Sequence, residues 1–126
     1  MFSNTPAFSS FAVDDLDAAR SFYGEKLGLA ISDGPMGVLS LDLPGDRSTL
    51  IYPKPDFTPA SYTILNFAVD DVEAAVDELS SRGVEFERYD GFHQDEKGIE
   101  HTPDGGPDIA WFKDPAGNIL AVLKPD

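Results

Sequence analysis

Six side chains able to bind a metal or move a proton fall in one short stretch: His93, Asp95, Glu96, Glu100, His101 and Asp104. Imidazoles and carboxylates are the donors a divalent ion takes, and a lone imidazole can serve as general acid or base near neutral pH. The spacing argues against a metal centre. The two histidines stand eight residues apart, which matches none of the short helical ligand spacings. The plain reading is an exposed polar loop. His93 stands out because it follows the aromatic Phe92, and it is the one candidate catalytic group. No Ser-His-Asp order is visible. Gly105-Gly106 marks a turn and not a phosphate cradle. With no cysteine, thiolate ligands, disulfides and a Cys nucleophile are excluded.

The elements that position this loop come from a repeat. Phe11-Ala12-Val13-Asp14-Asp15-Leu16-Asp17-Ala18-Ala19 returns 56 residues later as Phe67-Ala68-Val69-Asp70-Asp71-Val72-Glu73-Ala74-Ala75. Each copy reads as a strand end followed by a helix start, so the chain is two copies of one module. Asp14 with Asp17, and Asp70 with Glu73, approximate capping boxes. The apolar spacing predicts helices over 14–26 and 70–82, stopped by Gly28 and Gly83. Strands are expected over 8–13, 29–32, 38–43 and 48–52, then over 62–69, 84–89, 109–113 and 119–124. Each module is therefore βαβββ, spanning 6–52 and 61–125 of a single 126-residue domain. A proline-rich linker over 53–60 joins them, since proline lacks the N–H a strand ladder needs. Residues 91–107 form a long polar loop.

Composition narrows the partners. The net charge is −14, from 23 acidic and 9 basic residues. That excludes a nucleic-acid partner, whose phosphates need Lys and Arg, and leaves attraction for cationic ligands open. No apolar run approaches the roughly 20 residues of a membrane span. No signal peptide is visible at Met1, so a cytoplasmic location follows by default.

The turn Phe112-Lys113-Asp114-Pro115-Ala116-Gly117-Asn118, the Val13-Asp14-Asp15 helix start and the Phe22-Tyr23…Leu27-Gly28-Leu29 segment together resemble the vicinal-oxygen-chelate superfamily. This is the glyoxalase, bleomycin-resistance and extradiol-dioxygenase group. The resemblance covers essentially the whole chain. It implies an α+β fold in which two βαβββ modules curl a mixed sheet into a cup around a small-molecule site, within a chain or across a homodimer. Metal-dependent members hold a divalent ion with His or Gln from the first strand of each module and Glu from each last strand. Carried over residue by residue, those positions fall on Phe8, Ile64 and Ala121, with Thr49 or Ile51 as the fourth. None is an ordinary metal ligand, so the resemblance implies no cofactor here and argues against glyoxalase activity.

What the resemblance leaves is an apolar pocket with a few polar handles. Alternation along the strands sets Ser10 beside Phe8 and Asn66 beside Ile64. Thr49, Ile51 and Ala121 join them in the family geometry, and Trp111 or Phe112 must face the same way, since neighbours on a strand alternate. Phe57, Tyr62, Phe92 and Trp111 supply the aromatics of such a cleft. The expected function is metal-independent binding of an unknown small molecule, cationic or aromatic, as in members that sequester bleomycin. One alternative is a lyase, isomerase or dioxygenase-type enzyme working through His93 and the loop carboxylates. The other is a closed core with no ligand.

Overall fold

In the computed structural model, which describes residues 1–102 and 106–125, the chain divides into two compact units, Met1–Thr58 and Pro59–Asp126. The first unit runs β1 (Ser9–Val13), α1 (Leu16–Arg20), β2 (Ala30–Asp33), β3 (Leu39–Leu43) and β4 (Arg47–Pro53). The second runs β5 (Thr63–Ala68), α2 (Val72–Ser81), β6 (Glu100–His101), β7 (Asp108–Lys113) and β8 (Ile119–Leu123). Each unit folds into a four-stranded mixed sheet of one topology, β1-β4-β3-β2 and β5-β8-β7-β6. The first strand lies parallel to the last, and the remaining pairs are antiparallel. The repeat seen in the sequence is thus a repeat of topology, α+β with two βαβββ modules.

Each unit packs its helix against one sheet face. Val13, Ile51, Leu39 and Leu41 are fully or almost fully buried in the first unit, with Tyr23 beneath them. After Arg20 the helix widens into a π-helical stretch, Ser21–Lys26, closed by the Leu27 N–H on the Phe22 carbonyl five residues back. The wider turn lets two adjacent large rings, Phe22 and Tyr23, both turn inward, edge to face with centroids 5.2 Å apart. In the second unit the buried set is Val72, Val76, Val84, Ile99, Ala110, Phe112, Leu120 and Val122.

The helix starts sit one residue later than the sequence suggested. Asp15 and Asp71, not Asp14 and Asp70, are the caps, and their carboxylates accept the Ala18 and Ala74 N–H groups at 3.1 and 3.0 Å. Both caps have extended backbone, so the carboxylate reaches an N–H three residues on that the helix leaves unpaired. Pro53 belongs to β4 and not to the linker. It stands opposite Val13 at the strand's end, where its missing N–H costs least.

The expected strand over 84–89 does not form. Only Phe86 bridges Phe112, and the Glu87 N–H reaches the Trp111 carbonyl at 2.8 Å. The Gln94 side chain takes the strand's place: its amide oxygen accepts the Tyr89 N–H, and its NH2 donates to the Glu87 and Gly98 carbonyls, each at 2.8 Å. The rest of that edge of β7 pairs with β6, which the sequence reading had left inside the loop.

The turn between β7 and β8 is closed by buried side chains. Asp114 accepts the Asn118 N–H at 2.8 Å and its side-chain amide at 3.0 Å. Gly117 takes a φ of 96°, and a Cβ there would sit 3.2 Å from Pro59, so the position suits only glycine.

Replacing Asp71 by alanine should cost about 1 kcal/mol of unfolding free energy, and Asp70→Ala a few tenths at most. Urea denaturation of the two variants checks this; equal losses would return the cap to Asp70.

Candidate functional site

The pleat of β7 sets the site. Phe112 faces the helix side, against the Phe86 ring at 5.6 Å. Its neighbour Trp111 must then face the other way. There it stands in register with Ala121 on β8, which is itself in register with Asn66 on β5. Three residues named from the sequence, Asn66, Ala121 and Trp111, therefore form one row across the face of the second sheet opposite Phe112, with Ala121 buried in its middle.

An aromatic cluster builds on that row. Phe92 stacks on Trp111 with centroids 5.1 Å apart and planes 30° apart. Tyr89 meets both rings edge to face, at 5.6 Å from Trp111 and 5.9 Å from Phe92. A recess of about 350 Å³ opens beside them, lined also by Tyr62, Thr63 and Ile119. Its size and its apolar lining with a few hydroxyls are those of a small-ligand site. Tyr89 entered the sequence reading only as part of an expected strand, and Thr63 and Ile119 likewise. The one available signal for Tyr89 was its place three residues before Phe92.

The remaining predicted positions fall elsewhere. Thr49 and Ile51 are 3% and 0% exposed, on the helix side of the first sheet. Their β1 partners Ser9 and Phe11 confirm that side, since Ser9 donates to the Thr49 hydroxyl and the Phe11 ring packs on Tyr23. Ser10 lies on the opposite face, in register with Leu50. Asn66 stands in the same way to Ala121, so the first-unit counterpart of Ala121 is Leu50 and not Thr49 or Ile51. Phe8 precedes β1 and is 69% exposed. Ile64 occupies a β-bulge. Phe57 is half-buried in the first unit, its N–H on the Lys54 carbonyl.

Of the loop acids, Asp95 reaches His101 and not His93, and the second carboxylate on His101, Asp108, belongs to β7. His93 is exposed, and its carbonyl accepts the His101 N–H at 3.4 Å. The His101 imidazole lies between two carboxylates, with Nε2 2.8 Å from Asp95 and Nδ1 3.3 Å from Asp108. Asp95 also accepts the Lys97 and Ile99 N–H groups, closing the turn that carries the loop back to β6. Lys97 in turn reaches Glu73 and Asp77 on α2. Asp104 lies outside the described residues, as does Gly105. Among the described residues no group of three or more His, Asp or Glu converges as a metal site would require.

The Asp95 hydrogen bond is the main reason the His101 pKa stands above its ordinary 6.5; burial pulls the other way, and the Asp108 and Asp95 charges add to the rise. For Asp95, burial pushes upward, but the His101 hydrogen bond and the Ile99 and Lys97 N–H groups outweigh it, leaving the carboxyl below its ordinary 3.8.

These geometries match a known family. The profile of the Glyoxalase/Bleomycin resistance protein/Dioxygenase superfamily fits residues 7–122, and the chain belongs to that superfamily. Among similar solved structures is TnmS3, an antibiotic binding protein from Streptomyces sp. CB03234. It is 27% identical, with a TM-score of 0.71 over 98% of each chain. A glyoxalase/bleomycin resistance protein from the same strain is 28% identical, with a TM-score of 0.64 over 94% of this chain and all of that one. The fosfomycin resistance protein FosX of Listeria monocytogenes has a TM-score of 0.74 at 12% identity, over 98% of this chain and 94% of its own, a likeness of fold alone. No curated protein matches the chain significantly in sequence. No helix among the described residues is long and apolar enough to cross a membrane.

The two shifts give the loop a pH signature. The His101 contribution is complete below the unfolded value near 6.5 and is lost as pH rises through the raised folded value. The Asp95 contribution is present above about 3.8 and is lost as pH falls through the lowered one. Stability should therefore fall from pH 6 towards pH 9 by more in the wild type than in His101→Gln. Urea midpoints across that range test it, and parallel curves for the two proteins would show that the pair contributes nothing.

Proposed function

We propose that the chain is a metal-independent binding protein that sequesters a small cationic or aromatic molecule in the recess beside Trp111. The observation that carries the reading is the aromatic cluster of Trp111, Phe92 and Tyr89 on an open sheet face. Indole is the strongest of the side-chain faces for both stacking and cation–π attraction. The net charge of −14 adds a long-range pull on cations. The likeness to TnmS3, an antibiotic binding protein, supports the same class of activity.

Metal independence rests on the donor set. The family's ligand positions carry Phe8, Ile64, Ala121 and, by the strand register, Leu50. Hydrocarbon side chains offer no lone pair to a cation, so these residues do not fit a metal ion. The enzymatic alternative expects His93 to work with the loop carboxylates, whereas His93 is exposed and Asp95 pairs with His101. The same reading expects a cytoplasmic homodimer, which light scattering of the purified chain would check.

Trp111 is the chain's one tryptophan, so its fluorescence reports on the recess directly. Titration with bleomycin and with a flat cationic dye such as proflavine should quench it saturably for at least one of them. A ligand at 100 times its Kd should add about 2.7 kcal/mol of stability. Prior treatment with a chelator should leave the Kd within about twofold, because each factor of ten is only about 1.4 kcal/mol and no metal bond is being removed. Loss of binding on chelation would overturn metal independence. An unchanged Tm and fluorescence across cationic and aromatic compounds would sink the sequestration reading itself.

A further inference from the structure

Stacking alone would make the recess indiscriminate, because every flat ring presents a similar face to Trp111. One polar atom at the site breaks that tolerance. The Tyr89 hydroxyl is buried and has no hydrogen-bond partner among the described residues. The rest of Tyr89 is well satisfied: its N–H donates to Gln94, and its ring packs edge-on against Trp111 and Phe92. The residue is therefore held in place by its backbone and ring, while its one polar side-chain atom is left over. A buried donor without an acceptor is a standing cost, which falls on the free protein and is lifted when an acceptor arrives.

We propose that Tyr89 is the specificity-determining residue of the recess, and that it selects flat, neutral or cationic aromatic molecules carrying a hydrogen-bond acceptor, a ring nitrogen or a carbonyl, at their edge. This deepens the binding reading given above and rests on it. The hydroxyl acts as the donor. Burial first, and the neighbouring Glu87 charge second, keep the phenol protonated well past neutral pH, with Lys113 opposing them more weakly. Glu87 also disfavours an anionic acceptor. Phe92 is 48% exposed at the rim and stacks where a ligand ring would lie. A ring that takes the place of Phe92 on the indole lies against Tyr89, whose ring stands 5.9 Å from that of Phe92. A ring without an acceptor would then gain the stack and leave the phenol unpaired. A site built to hydrogen-bond its ligand rejects the analogue that lacks the group.

Quinoline, isoquinoline and naphthalene make the test, because they share size and shape and differ in one ring atom. At pH 8 the two nitrogen heterocycles are neutral. Quenching of Trp111 in the wild type should favour at least one of them over naphthalene by about tenfold or more. In Tyr89→Phe that preference should fall below about twofold. The free variant should melt at the same temperature as the wild type or higher, since it loses only an unpaired group. A preference that survives in the variant, or none in the wild type despite quenching, overturns the assignment while leaving the binding reading intact. A lower melting temperature for the free variant also overturns it, because the hydroxyl would then have a partner within the protein. No quenching by any of the three removes the stacking recess, and this proposal with it.

Discussion

Neighbouring side chains on a strand must point to opposite faces of the sheet, and in β7 both neighbours are large aromatics. Phe112 goes inward and is fully buried, locked against Phe86 and in register with Leu120. Trp111 is thereby forced outward. The site depends on this pairing. Burial of Phe112 contributes on the order of 2–3 kcal/mol, and that burial is what holds the indole on the open face. A slip of one residue in the register of β7 would exchange the two rings and leave a more polar edge in the core.

The second constraint is hydrogen-bond accounting along the edge of β7. A chain leaving α2 would ordinarily continue as a strand, yet between Glu87 and Glu100 it departs from the sheet. It can do so because the Gln94 amide takes over three backbone partners and Asp95 takes two more. Buried peptide groups need partners, and side chains supply them here. The excursion carries Phe92 onto Trp111, so the loop that looked like a reservoir of acid–base groups works mainly as an aromatic wall. His101, on Asp108, and Lys97, on Glu73 and Asp77, hold the loop's far end to β7 and α2. Most of these ion pairs are exposed and contribute little each. Asp95 is the exception, because its two oxygens bind three separate groups.

Much of the architecture was legible in the chain. The nine-residue repeat announced two modules, and both folded to one topology. Alternation set Asn66 on the face of Ile64, the family resemblance added Ala121, and strand register then put Trp111 in the same row. The misreadings share a cause. The cap moved by one residue because Asp-Asp offers two carboxylates, and only backbone geometry chooses between them. Thr49 and Ile51 were assigned to the wrong face because strand register between distant segments carries no local signal, and a shift of one residue reverses a face. Strand 84–89 has the right residues for a strand and lost to Gln94, whose three bonds connect residues that are not adjacent in sequence.

The sequence by itself determined the class of fold, the absence of cysteine chemistry, the acidic balance and the apolar residues at the family's ligand positions. The first three follow from composition, short-range periodicity and a repeated turn vocabulary, all of which are local, and the last follows from the resemblance that those turns carry. The tertiary structure decided that the aromatics at 89, 92 and 111 meet, that Asp95 and Asp108 hold His101 and not His93, and that the Tyr89 hydroxyl is left without a partner among the described residues. Each of these, with His101 held between one loop carboxylate and one from β7, is a relation between segments brought together by strand pairing and by a loop closed on side-chain hydrogen bonds. Such relations depend on which backbone groups find partners across the fold, and no local pattern of residues encodes that.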